Sequence, residues 1–409
     1  MTATAMPVPA PDGDGVLARR RDAIMVSGWG APYRFVQPHN ACFWVYLLLV
    51  GLGLWKFVTL SLPTAEIFAD ANTVAIVSSG LFAIVFLLFL HSFDRYEKTP
   101  GRLALTAFVA GGFAAPWAFA LPGNAALMDL YGKLFGQTFA EDWQAGLTAP
   151  FVEETSKAVF FVLLLGLAPV VIRTVYDGLM VGAYIGLGFQ ILEDVLYGQN
   201  AAMSHFGTDQ TSTVLETFVV RAITGIPSHA LYTALFSAGL IYVIGTVAQP
   251  RRVGRGLALI ATAMLLHGLW DSMAALVGPF GAAAAGAMML GLTVAALVAL
   301  AVAIHLGGTR ERGYLRAILQ PEVVDGTITA AELDAVAGGR RQRRRARRAA
   351  LRSRPKGVSR RREKHVMNAT LDLAHDLASS SGGESRAVAH SRREIARLRT
   401  PRRAPRALA

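Results

Sequence analysis

Pro150-Phe151-Val152-Glu153-Glu154-Thr155-Ser156-Lys157-Ala158-Val159-Phe160-Phe161-Val162-Leu163-Leu164-Leu165-Gly166-Leu167 opens with two adjacent acids and a lysine, then continues without a charge to Leu167. A segment of this kind reads as a membrane helix that carries ionisable groups. About 20 mostly apolar residues cross a hydrocarbon core as helix, and an ionised side chain inside it costs about 2.5–3.5 kcal/mol. Comparable apolar stretches recur on both sides. Eight spans are expected, at roughly 41–62, 73–92, 103–121, 150–172, 178–198, 220–247, 256–278 and 282–306. The fold class that follows is all-α, a polytopic integral membrane helical bundle with about eight transmembrane helices.

Composition agrees with that reading. The 409 residues are 53% apolar and 17% charged, too greasy a balance for a soluble chain of this length. Of 40 Lys+Arg and 28 Asp+Glu, 25 bases and 10 acids fall in 309–409, so the first 308 residues hold 15 bases and 18 acids. The expected organisation is a polar cytoplasmic N-terminal segment at 1–38, an eight-span membrane domain at 39–308, and a basic cytoplasmic tail at 309–409, partly helical or disordered. Arg19, Arg20, Arg21 and Arg34 precede the first apolar run, which starts too late for a cleavable signal peptide. One cysteine, Cys42, excludes an intrachain disulfide and any thiolate zinc cluster.

Loop charges set the orientation. Arg95, Lys98 and Arg102, then Arg173, then Arg251, Arg252 and Arg255 alternate with the acidic loops that hold Glu66 and Asp70, Asp129, Glu141 and Asp142, and Asp209 and Glu216. An even number of spans with both termini cytoplasmic satisfies every loop. Residues 122–149 read as an interfacial amphipathic helix on the outside. Gly178, Gly182 and Gly186 form a small-residue ridge for close helix packing. In the tail, Thr329 and Glu332 make a capping box before a short helix. The Arg-rich runs at 340–348 and 352–364 are expected to meet anionic lipid, at about 1 kcal/mol per base near the surface. Nothing in them points to a specific nucleic acid.

The informative residues are polar groups placed in the spans. Glu153, Glu154 and Lys157 sit in the fourth, Glu193 and Asp194 in the fifth, His229 in the sixth, His267 and Asp271 in the seventh. Residues four apart share a helix face, so Glu153 can pair with Lys157, and His267 projects together with Asp271. Counting at about 1.5 Å per residue puts Glu154, Glu193, His229 and Asp271 roughly 6–11 Å below the outer boundary, with His267 about 16 Å deep. Carboxylates and imidazoles without a Ser or Cys nucleophile point to activation of water. A Glu would be the general base, and His would either bind a metal or stabilise an oxyanion. Two His and a carboxylate suit catalytic zinc, although no His-Glu-x-x-His is present. His91 and His305, near span ends, read as packed side chains.

The motifs Glu153-Glu154-x-x-Lys157, Gly188-Phe189-x-x-x-Glu193, Pro227-x-His229-x-x-x-Thr233 and His267-Gly268-Leu269-Trp270-Asp271, in this order, resemble those of the PrsW family of intramembrane metalloproteases. The likeness covers about residues 40–306. It implies a polytopic endopeptidase in a bacterial cell membrane that cuts membrane-anchored protein substrates, with anti-sigma-factor processing as the founding role. Carried over, the acidic pair is Glu153 and Glu154, the lysine is Lys157, and the histidines are His229 and His267. Asp194 stands where members commonly have Asn, and Ala158 departs from the Glu-Glu-x-x-x-Arg of the distant prenyl-protein and bacteriocin-associated proteases.

The expected site therefore has Glu153, Glu154, Lys157, His229 and His267 as catalytic residues. His229, His267, Glu193 and Asp271 form a ligand set for a divalent metal, with zinc expected and a metal-free glutamate mechanism as the alternative. Cleavage is expected near the extracytoplasmic side. Two rival readings share the polar cluster: a proton-coupled secondary transporter, against which no internal repeat relates 41–172 to 178–306, and a non-enzymatic membrane scaffold.

Overall fold

A computed structural model describes residues 13–225, 228–352 and 360–399. Pro227 of the third motif and the tail residues 353–359 and 400–409 lie outside them. Among the described residues there is helix and no strand. In chain order the helices are α1 (Gly13–Ser27), α2 (Ala41–Ser61), α3 (Ala69–Phe93), α4 (Gly101–Val109), a π-helical segment (Ala110–Ala120), α5 (Leu121–Phe135), α6 (Gln137–Leu167), α7 (Val175–Ser204), α8 (Gln210–Thr224), α9 (His229–Ile244), α10 (Val253–Asp271), α11 (Met273–Val277), α12 (Ala282–Val324), α13 (Ala330–Ala337), α14 (Arg340–Arg352), α15 (Arg360–Ser379) and α16 (Arg386–Arg399).

Seven stretches among the described residues are long and apolar enough to cross a membrane: the helical Ala41–Ser61, Ala69–Phe93, Gly101–Phe135, Val175–Ser204, Val253–Asp271 and Ala282–Val324, and Gln210–Ile244, whose described helices are α8 and α9. The stretch expected at 150–172 is helical to Leu167, as the second half of α6, and there Glu153, Glu154 and Lys157 dilute its apolar character. The expected span at 220–247 is two helices, α8 and α9. The sequence Thr224-Gly225-Ile226-Pro227 supplies the reason, since proline lacks the N–H that would continue the helix. The stretch 122–149, expected as an interfacial helix, forms α5 and the first half of α6, turned at Gly136 with φ of 88°, and α5 continues the candidate crossing Gly101–Phe135.

The chain divides into two compact units: Pro32–Gly307, and the described parts of Met1–Ala31 and Gly308–Ala409. In the first, large apolar side chains face outward, as Trp44, Leu48 and Trp55 do on α2 and Leu81, Val85 and Leu88 do on α3. Small residues face inward, with Ala71, Ala75, Ser79 and Ala83 recurring every fourth position of α3. That inversion is what a bilayer rewards, because lipid tails solvate leucine while helices gain from close approach. Most of α7 is buried. Its glycine ridge packs on α9, where a Cβ built on Gly186 would lie 2.2 Å from the carbonyl oxygen of His229. Gly146 on α6 likewise faces Gly268 on α10, its built Cβ 2.7 Å from the Gly268 carbonyl oxygen.

The second unit has its own core, including Val16, Leu315, Ile318, Leu373, Leu377 and Ile395. Fully buried Glu322 pairs with Arg20 at 2.7 Å and Arg392 at 2.8 Å. Thr329 and Glu332 form the capping box of α13. The tail thus contains folded helices, because Val366, Thr370, Leu373 and Leu377 lie on one face of α15 beneath its polar surface.

Candidate active site

Four helices of the Pro32–Gly307 unit bring the polar residues together, and the close approaches at Gly186 and Gly146 set their separation. From α6 come Glu153, Glu154 and Lys157, from α7 Glu193, from α9 His229 and Thr233, and from α10 His267 and Asp271. Lys157 is fully enclosed at 0% exposure. Its Nζ donates to Glu154 Oε1 at 2.9 Å, to Glu153 Oε2 at 3.5 Å and to His229 Nδ1 at 2.9 Å. The ammonium also rests over the Phe189 ring, 3.7 Å from its centre. An ammonium only donates, so Nδ1 of His229 is the acceptor, the ring proton sits on Nε2, and Nε2 donates to Glu193 Oε2 at 2.9 Å.

The two adjacent acids have different surroundings, because neighbours on a helix point about 100° apart. Glu154 is wholly enclosed and accepts from Thr233 Oγ1 at 3.0 Å as well as from Lys157. Glu153 lines a cavity of about 550 Å³ together with Glu193, His229, His267 and Asp271. Its Oε1 accepts from Asn124 Nδ2 on α5 at 3.0 Å.

His267 lies against both acids and against Asp271. Its Nε2 is 3.4 Å from Asp271 Oδ2 and 3.7 Å from Glu153 Oε2. Its Nδ1 is 3.3 Å from Glu154 Oε1 without the alignment of a hydrogen bond, and is a buried atom with no hydrogen-bond partner among the described residues. Tyr232 stacks on the His267 ring at 5.1 Å, and the His229 ring meets it edge-on at 5.0 Å.

Glu153, His229 and His267 offer ligand atoms that all lie within 4.8 Å of one another. Two imidazoles and a carboxylate beside an open cavity fit a divalent metal in composition, with Nε2 the His267 nitrogen nearest Glu153 and the unsatisfied Nδ1 on the Glu154 side of the ring. Lys157 already holds the lone pair of His229 Nδ1, and one lone pair serves one partner. Of the other two expected ligands, Glu193 is engaged by His229 and by Arg221 NH2 at 2.6 Å, and Asp271 stands beside His267.

Three contributors were not singled out in the sequence. Asn124 is a neutral amide in a stretch read as interfacial surface. Tyr232 looks like any aromatic residue of an apolar helix. Arg221, within Phe218-Val219-Val220-Arg221-Ala222-Ile223, did carry a signal: a charge inside an apolar run.

A family model described as PrsW family intramembrane metalloprotease matches residues 99–304. Protease PrsW of Bacillus subtilis (strain 168) is 26% identical over 207 residues, which cover 48% of this chain and 81% of that protein. No solved structure matches. The matched region contains all four motifs and every side chain of the cluster, and the chain belongs to the PrsW family of intramembrane metalloproteases, as a multi-pass membrane hydrolase of peptide bonds.

Proposed function

We propose that this intramembrane protease cuts a membrane-anchored protein substrate at the cavity bordered by Glu153, His229 and His267, with Glu153 as the group that meets the attacking water. The observation that carries the reading is the division within the acidic pair: Glu153 lines the cavity and Glu154 does not. Asn124 fixes Oε1 of Glu153, and Oε2, whose contact from Lys157 is long at 3.5 Å, is the oxygen that takes a proton from water. Lys157 balances the charge of both acids, and Glu154 with Thr233 holds Lys157 in place. Asp271 orients His267, whose ring stands beside Glu153 and donates toward developing negative charge.

Glu153 and His267 are the residues that would hold a divalent metal, zinc by the composition of the set, and His229 would join them only by releasing its Nδ1 lone pair from Lys157. When bound, such an ion supplies Lewis acidity toward the scissile carbonyl and acidifies water. Loop charges support α6 as an eighth span, both termini in the cytoplasm of a bacterial cell, and cleavage toward the extracytoplasmic end of the substrate's span. An anti-sigma factor is the substrate class the family likeness implies. Eight arginines in α14 support attraction of the tail to anionic lipid.

The test is cleavage of tagged single-span substrates in proteoliposomes by wild type, Glu153→Gln and Glu154→Gln, with and without chelator, alongside elemental analysis of the purified protein. Glu153→Gln is expected to abolish cleavage. Loss of cleavage on chelation together with bound metal supports the ion, and cleavage that survives chelation supports Glu153 acting alone. Wild-type cleavage by Glu153→Gln overturns the reading.

A further inference from the structure

Three residues of α7 make a seat for a guanidinium from α8. Arg221 NH2 bonds Glu193 Oε2 at 2.6 Å, its Nε donates to Asp194 Oδ1, and its planar group lies 3.8 Å from the centre of the Tyr197 ring. Glu193 and Asp194 are consecutive and Tyr197 is one turn further on. A fork that spans two carboxylates while stacking on an aromatic face suits arginine and not lysine. The Glu193 oxygen that takes Arg221 is also the one that takes the Nε2 proton of His229, at 2.9 Å. One carboxylate oxygen therefore joins the guanidinium to the imidazole.

Glu193 has three rotatable bonds, and its carboxylate is held by Arg221 and His229. Without Arg221 the carboxylate can swing into the cavity it lines. His229 then loses the acceptor that keeps its proton on Nε2 and its Nδ1 turned to Lys157. We propose that Arg221 is a positioning residue for hydrolysis: it pins Glu193, and through Glu193 it fixes the tautomer and ring orientation of His229. This inference rests on the proposed role of His229 beside Glu153. Partners that orient metal-bound histidines are worth about 10- to 100-fold in metal affinity or activity, and a loss of that order is expected for the hydrogen-bonded His229.

The test uses the full-length protein in proteoliposomes with a tagged single-span substrate. Arg221→Ala is expected to lower kcat about 10- to 100-fold with KM within about twofold. Because Arg221 lines the cavity, millimolar guanidinium can reach the vacated seat; it is expected to restore kcat to Arg221→Ala, while equal sodium chloride does not. In a Glu193→Gln background, Arg221→Ala is expected to add no further loss. Arg221→Gln, which keeps most of the bulk, is measured in parallel with the melting temperature of each variant, so that a failure to fold is separated from a failure to position.

Wild-type kcat in Arg221→Ala or Arg221→Gln overturns the proposal. So does full additivity with Glu193→Gln, or a folded Arg221→Ala that guanidinium does not rescue. These outcomes are distinct from failure of the site itself, which shows as cleavage by Glu153→Gln.

Discussion

Lys157 on α6 reaches His229 on α9, Nζ to Nδ1 at 2.9 Å, with both side chains buried. The contact fixes a proton position on the imidazole and joins two helices by a charged hydrogen bond. Lys157→Met removes the cation and leaves Glu154 enclosed without its counter-charge. Breaking a buried pair from one side costs about 3–5 kcal/mol, so a marked fall in melting temperature is expected in detergent. Lys157→Met with Glu154→Gln is expected to melt above Lys157→Met alone. The reverse order would show that Lys157 does not compensate Glu154.

Asn124 donates to Glu153 from a helix outside the motifs. Hydrogen bonds to charged groups are worth about 1.5–3 kcal/mol, which corresponds to a kcat loss of about 10- to 100-fold for Asn124→Ala. Asn124→Asp, which sets a second carboxylate against Glu153, is expected to lose more. Steady-state cleavage by both variants checks this, and equal activity of Asn124→Asp and wild type would exclude the contact from the reaction.

Gly186 has no room for a side chain, since its built Cβ meets the His229 carbonyl at 2.2 Å. Gly186→Ala pushes α9 away from α7 and is expected to cost about 1–3 kcal/mol, with loss of cleavage because His229 moves with the helix. At Gly291 on α12 a Cβ would meet nothing within 4 Å, so Gly291→Ala is the matched control and leaves the melting temperature unchanged.

Asp94, in the loop after α3, is buried, and burial pushes its carboxyl up from the ordinary 3.8 to about 7. Hydrogen bonds from Thr99 N and Oγ1 oppose the push, as does Lys98, while the Asp177 carboxylate adds to it. A raised pKa means that the folded state holds the proton more tightly than the unfolded state. Its contribution to stability is present in full below about pH 4 and is lost as pH rises through about 7. Asp94→Asn is expected to flatten this slope. Melting temperature against pH for both proteins is the measurement, and parallel curves would rule the group out.

Most charged members of the site were legible because the membrane makes them conspicuous, although Arg221, which carried the same signal, was passed over. Glu153, Glu154, Lys157, Glu193, His229, His267 and Asp271 each stand in or beside an apolar run, and the structure gathers all seven. Which of the two adjacent acids faces the cavity was not legible. That depends on the rotation of α6, set by its approach to α10 at Gly146 and Gly268. Asn124 was hidden for a related reason: a neutral amide carries no penalty that marks it, and the π-helical segment before α5 decides where it points. In the tail, the arginine blocks masked the spacing of Val366, Thr370, Leu373 and Leu377 that builds a core.

The separation of Glu153 from Glu154 also bears on covalent labelling. A carboxyl-modifying carbodiimide that enters the cavity meets Glu153, while Glu154 lies behind protein on every side and bonded to Lys157 and Thr233. To such a reagent the acidic pair is one reactive carboxylate and one silent one, although the sequence writes them as the same residue twice.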